Sequence, residues 1–147
     1  MQEKRKTLPW PLQSVFTAIA LILVSQLTAV SQAEKPKISP IDRSMIPRGC
    51  SYYLDDWQGN YLLWATYPGF SDSKNLIIRI NGKTRKIPYT QNDQVINASS
   101  DKYKIQITNQ EWKQVGYELS SAKAILKVIN TEANTQTQLI VRAQKGC

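Results

Sequence analysis

The sequence predicts an all-β protein, a small single-domain antiparallel sandwich or barrel with an end-to-end disulfide. Three observations carry that prediction. Apolar residues recur with period 2, as in Tyr103-Lys104-Ile105-Gln106-Ile107-Thr108. Asn81-Gly82 sits between two such runs, and both residues tolerate the positive φ angles of a type I′ hairpin turn. Only two cysteines exist, Cys50 and Cys147, and they bracket the whole patterned region.

The first 33 residues read as a secretory signal peptide. Lys4, Arg5 and Lys6 precede an apolar run from Val15 to Val24, and Ser31-Gln32-Ala33 offers small residues for cleavage before Glu34. Gln13, Ser14, Ser25 and Gln26 bracket the run, leaving it short of the about 20 apolar residues a membrane span needs. The expected product is secreted or periplasmic, with no transmembrane span after cleavage. Residues 34–48 hold three prolines and no apolar periodicity, so they read as a flexible linker. The domain is expected over residues 49–147.

Within it, Ser51–Leu54 is a short strand candidate and Asp55–Gly59 is turn-rich. Residues 60–67 (NYLLWATY) are apolar on both faces and suit a central strand, which Pro68-Gly69 stops. Asn75–Ile80 and Lys83–Tyr89 form the arms of the Asn81-Gly82 hairpin, with Pro88 drawing the second arm to a sheet edge. Residues 91–101 read as polar loop. Asn109–Val115 is expected to make one helical turn held down by Trp112. Leu119–Ile129 fits helical and strand spacing alike. The plain strand that follows, Thr137–Ala143, decides for a terminal hairpin.

Two cysteines in an oxidising compartment allow one internal bridge. The alternative is an intermolecular bridge; a monomer is expected. Gly49-Cys50-Ser51-Tyr52-Tyr53, the segment Ile78-Arg79-Ile80-Asn81-Gly82-Lys83 and the closing Gly146-Cys147 resemble a group of small secreted or periplasmic bacterial β-domain proteins of unknown function. The resemblance implies an all-β fold and carries no catalytic residues.

The chain has no histidine, which removes Ser-His-Asp and Cys-His catalysis and His-ligated zinc. No phosphate-cradling glycine motif occurs, and no metal or other cofactor is expected. Carboxylate chemistry remains as a lesser alternative, a carbohydrate-active enzyme built on Asp55, Asp56 or Glu111, with Glu118 on the other side of Trp112. For the adjacent pair Asp55-Asp56, turn formation is the plainer role. The Asn97-Ala98-Ser99 sequon matters only in a eukaryotic secretory route.

Binding is better provided for. Removing residues 1–33 takes away three basic residues and one acidic residue, so the formal charge falls from +8 to +6. Arg79, Lys83, Arg85 and Lys86 cluster at the hairpin, with Lys74 nearby, as a candidate positive lobe. Trp57 and Tyr61 are the candidate aromatic contacts, Trp57 because it lies in a turn. Trp64 and Trp112 are expected in the core. The expected activity is non-enzymatic binding to an anionic envelope polysaccharide, a lipid surface or a secreted protein, and not to nucleic acid. The alternative is inhibition of a secreted hydrolase such as a lysozyme or protease.

Overall fold

The structure, a computed structural model, describes residues 32–66 and 74–147. Most of the leader and the Pro68-Gly69 stop lie outside them. Alternation of buried and exposed side chains, the signature of strands with one face to a core, continues through most of the described chain. The strands are β1 (Ile38–Ser39), β2 (Ser51–Asp55), β3 (Tyr61–Thr66), β4 (Asn75–Ile80), β5 (Lys83–Asn92), β6 (Val95–Ser99), β7 (Tyr103–Asn109), β8 (Lys113–Gln114), β9 (Leu119–Asn130) and β10 (Thr135–Gly146).

Eight of them close an antiparallel barrel. Around its wall the order is β4, β3, β2, β10, β9, β7, β6, β5, and β5 pairs again with β4. Closure is achieved by β5, which pairs with β4 as far as Pro88 and with β6 from Tyr89 onward. Pro88 therefore marks a change of partner within a closed wall, rather than a sheet edge. Every strand of such a barrel has a neighbour on both sides, which removes the exposed edge that invites aggregation.

Inward positions carry the core. Leu54, Leu63, Leu76, Ile78, Ile80, Ile107, Leu126 and Val128 are fully buried. Each contributes about 1.5–3 kcal/mol by leaving water. Strand β7 reads buried–exposed along its whole length, as its sequence predicts. Strand β9 is strand throughout, with Ala122, Ala124, Leu126 and Val128 on the inward face.

The hairpin turn forms as expected, with φ +50° at Asn81 and +76° at Gly82. The polar loop expected over residues 91–101 is instead the end of β5, a tight turn at Asp93-Gln94 and all of β6. Ile96 and Ala98 point inward there and Asn97 outward, so the strand carries its alternation on few apolar residues. The helical turn expected over Asn109–Val115 is also replaced: Lys113-Gln114 pairs with β9. Trp112 does hold this segment down, with its ring 6.1 Å from that of Tyr52 in an edge-on contact.

Residues 34–48 are not a flexible linker. Pro36 and Ile41 are buried. Strand β1 pairs with β4 beyond the point where β3 stops pairing with it. The Asn81 side chain accepts from the Lys37 backbone N–H at 2.8 Å, while Thr135 and Thr137 donate to the carbonyls of Glu34 and Pro36. These partners lie 40 or more residues away, so no local pattern announces them. The folded unit spans Ala33–Cys147.

Cys50 and Cys147 are joined in one internal disulfide. It closes a loop with a sequence separation of 97, for which chain-entropy reasoning gives about 4–5 kcal/mol. Gly146 beside it has no room for a side chain, since a Cβ would lie 2.3 Å from the Glu118 carbonyl oxygen.

Candidate functional site

The basic residues of the hairpin do not form one lobe. Register places Arg79 opposite Thr84 and Ile77 opposite Lys86 on the outer face, while Lys83 opposes Ile80 and Arg85 opposes Ile78 on the inner face. Strand alternation thus divides the cluster by side. Arg85 turns into the barrel end, its guanidinium 4.9 Å from the ring centre of Tyr103. Arg79 donates from Nε to the Gly82 carbonyl within its own hairpin. Lys83, Lys86 and Lys74 are exposed.

The β2–β3 turn is organised differently. Asp55 ends β2 and is 1% exposed. One of its carboxylate oxygens accepts the Trp57 backbone N–H at 2.9 Å, and both receive Arg142 Nε from β10 at 3.0 Å. Asp56 accepts from the backbone N–H groups of Gln58 and Asn60 and from the Asn60 side-chain amide. The Asn60 bonds hold the Asp56 carboxyl below the ordinary carboxylate range. These bonds fix Trp57 at φ +69°, a left-handed conformation uncommon for a bulky residue. Trp57 is 54% exposed, and its ring centre lies 5.7 Å from the Arg142 guanidinium.

Tyr61 belongs to this side of the molecule through a bulge. Leu54 pairs with Leu63, but Asp55 pairs with Tyr61, leaving Leu62 as the extra residue. The bulge brings Tyr61 to the outer face, where its ring meets Tyr53 edge-on at 4.9 Å and carries the Arg43 guanidinium at 5.0 Å. The Tyr53 hydroxyl bonds Gln144 Oε1, and burial pushes its pKa up. Trp57 and Tyr61 thus flank the Asp55–Arg142 ion pair, whose carboxylate is buried while Arg142 still reaches water. Trp64, also on the outer face, is buried.

Trp57 forms one wall of a groove of about 340 Å³, at the small end of the roughly 300–1,000 Å³ range of ligand sites. Gln110, Glu111, Lys113, Val115, Ser121, Ala122 and Lys123 line the rest. Lys113 and Lys123 are exposed, and Val115 is 58% exposed. Sequence reasoning missed these residues because β8 read as helix and because Lys113 and Lys123 are far from Trp57 in the chain. The even spacing of Ser121, Lys123, Ile125 and Lys127 along β9 was the available signal, since it puts them on one face.

The carboxylates proposed for sugar hydrolysis have separate engagements. Asp55 and Asp56 are both engaged by the turn, Glu111 lines the Trp57 groove, and Glu118 lines a separate hollow beside Cys147 and Tyr53. Among the described residues no group of three or more His, Cys, Asp or Glu side chains could hold a metal ion, and no helix is long and apolar enough to cross a membrane. No family model matches this chain, and no curated protein or solved structure does.

Proposed function

We propose that this protein is an extracytoplasmic binding domain that contacts an envelope component through the outer face around Trp57. The leader pattern and the Cys50–Cys147 bridge support the location, because disulfides persist outside the reducing cytoplasm. One observation carries the binding role. A large aromatic ring is held half in water, in a strained backbone conformation, by a buried carboxylate that bonds both its backbone and the arginine beneath it. A solvent-facing tryptophan with fixed backbone and a polar rim is suited to recognition, since little entropy is lost when it is covered. The hairpin lysines play a lesser part in this reading, because register sends them to two faces.

The test is retention of the disulfide-bonded protein on the envelope fraction of its source cells, at low and at high salt. Trp57→Ala is expected to abolish retention, and Lys83→Glu with Lys86→Glu to leave most of it. Retention unaffected by Trp57→Ala would refute the site.

Inhibition of a secreted hydrolase is the second reading. It is favoured by Tyr117, 94% exposed at the tip of the β8–β9 hairpin, where the Gln114 side-chain amide bonds the carbonyls of Gly116 and Tyr117. Titration of lysozymes and secreted proteases against the protein separates it from the first. Inhibition lost in Tyr117→Ala would favour it.

A further inference from the structure

Resting on the reading of the Trp57 face as the binding surface, we infer that its ligand is an anionic polysaccharide chain, laid from the Trp57 groove along the outer face of β9 and β10. The argument starts from the rows that register creates. Outward residues on the two strands pair as Gln144 with Ser121, Arg142 with Lys123, Ile140 with Ile125, and Gln138 with Lys127. The rows alternate in chemistry: amide and hydroxyl, two cations, two aliphatics, amide and cation. Ile140 is 60% exposed. Trp57 stands over the cationic row, its ring against Arg142.

Such a surface matches a polymer of rings. A sugar ring offers a C–H face that packs on an aromatic or aliphatic side chain, and equatorial hydroxyls that bond amides and hydroxyls at its rim. Negative substituents repeated along the chain would meet cations repeated along the strand. Lys123 and Lys127 lie four residues apart on one face of β9, about 13 Å at the rise of a strand. Lys113 adds a third ammonium at the groove. Among the described residues neither Lys113 nor Lys123 has a carboxylate within ion-pair distance. Arg142 is held by Asp55 and Glu111 also lines the groove, so the excess positive charge comes from Lys113, Lys123 and Lys127, and it selects an anionic chain over a neutral one. The Ile140–Ile125 pair stands between two polar rows, which selects ring faces over a continuous hydrophobic partner.

Binding to soluble polygalacturonate, dextran and polyglutamate, followed by calorimetry, tests the assignment on protein expressed from the full sequence and purified in its disulfide-bonded form. Polygalacturonate is expected to bind, with dextran and polyglutamate each weaker by roughly tenfold or more, because each lacks one of the two recognised features. Trp57→Ala should weaken polygalacturonate binding by roughly tenfold or more. Should that variant fail to fold, Lys113→Gln with Lys123→Gln serves instead. Both lysines are exposed, and the pair should lose affinity together with much of its salt dependence. Polyglutamate binding as tightly as polygalacturonate would overturn the inference by showing charge alone at work. Equal affinity of wild type and Trp57→Ala for polygalacturonate would overturn it as well. If polygalacturonate does not bind while the envelope fraction still retains the protein through Trp57, the polysaccharide assignment fails and the binding-face reading survives. If neither holds the protein, both fail.

Discussion

Two turns of this barrel show how differently a cluster in sequence can behave in space. The β4–β5 hairpin gathers four basic residues within eight positions, and the strands divide them between the inside and outside of the barrel. The β2–β3 turn gathers two aspartates and a tryptophan, and its own hydrogen bonds hold them as one unit. Charge proximity along a strand is undone by alternation, whereas a turn whose side chains bond its own backbone keeps its residues together. The second turn is also tied to a distant strand through Asp55 and Arg142.

Breaking that tie should have the largest effect. Asp55→Ala removes a buried carboxylate and leaves the Trp57 N–H and the Arg142 guanidinium without it. The expected loss is about 2–4 kcal/mol, somewhat below that of a fully enclosed pair because Arg142 still reaches water. Chemical denaturation measures it. A loss under half a kilocalorie would mean that the pair does not hold the turn.

Within the hairpin, Arg85→Ala should cost about 1–2 kcal/mol, through lost packing and the lost contact with Tyr103. The same denaturation series checks this value against Arg79→Ala and Lys86→Ala on the outer face. If Arg85 behaved like them, the division of the cluster between two faces would be wrong.

The two turns should also part company in acid. Hydrogen bonds from Asn60 hold Asp56 below its ordinary value of 3.8. Their stabilisation is present above that value and is lost as pH falls through the lower value of the folded state. Lys83–Lys86 contains no carboxylate. An acid titration followed by NMR should therefore move the Trp57 indole and Gln58 amide signals while the Lys83–Lys86 amides stay in place. Asp56→Asn should remove the Gln58 response.

The smallest effect is expected from Lys83→Glu and Lys86→Glu, each within about 0.5 kcal/mol of wild-type stability. Equal denaturation midpoints would show these exposed lysines to be solvated. A clear loss would show a hidden partner.

The sequence by itself determined the fold class, the strands with clean alternation, the turn at Asn81-Gly82 and the two cysteines available for the bridge. Those are local properties: period-2 patterning chooses a strand, and a turn needing positive φ chooses Asn and Gly. It also singled out Trp57, because Asp-Asp-Trp-Gln-Gly cannot continue a strand. Only the tertiary structure decided the rest. Strand β6 escaped notice because one inward isoleucine and one inward alanine, Ile96 and Ala98, carry its apolar face. Pro36, Lys37 and β1 read as linker because their partners, Thr137, Asn81 and β4, lie far along the chain. The choice between sandwich and barrel rested on β5 changing partner after Pro88, a pairing that alternation does not encode. The composition of the candidate site followed from register: one bulged residue, Leu62, brings Tyr61 beside Tyr53, and antiparallel pairing brings Lys123 beside Arg142 beneath Trp57. Patterning tells which residues share a face of one strand. Which strands lie side by side, and so which side chains meet across them, is settled only when the sheet closes.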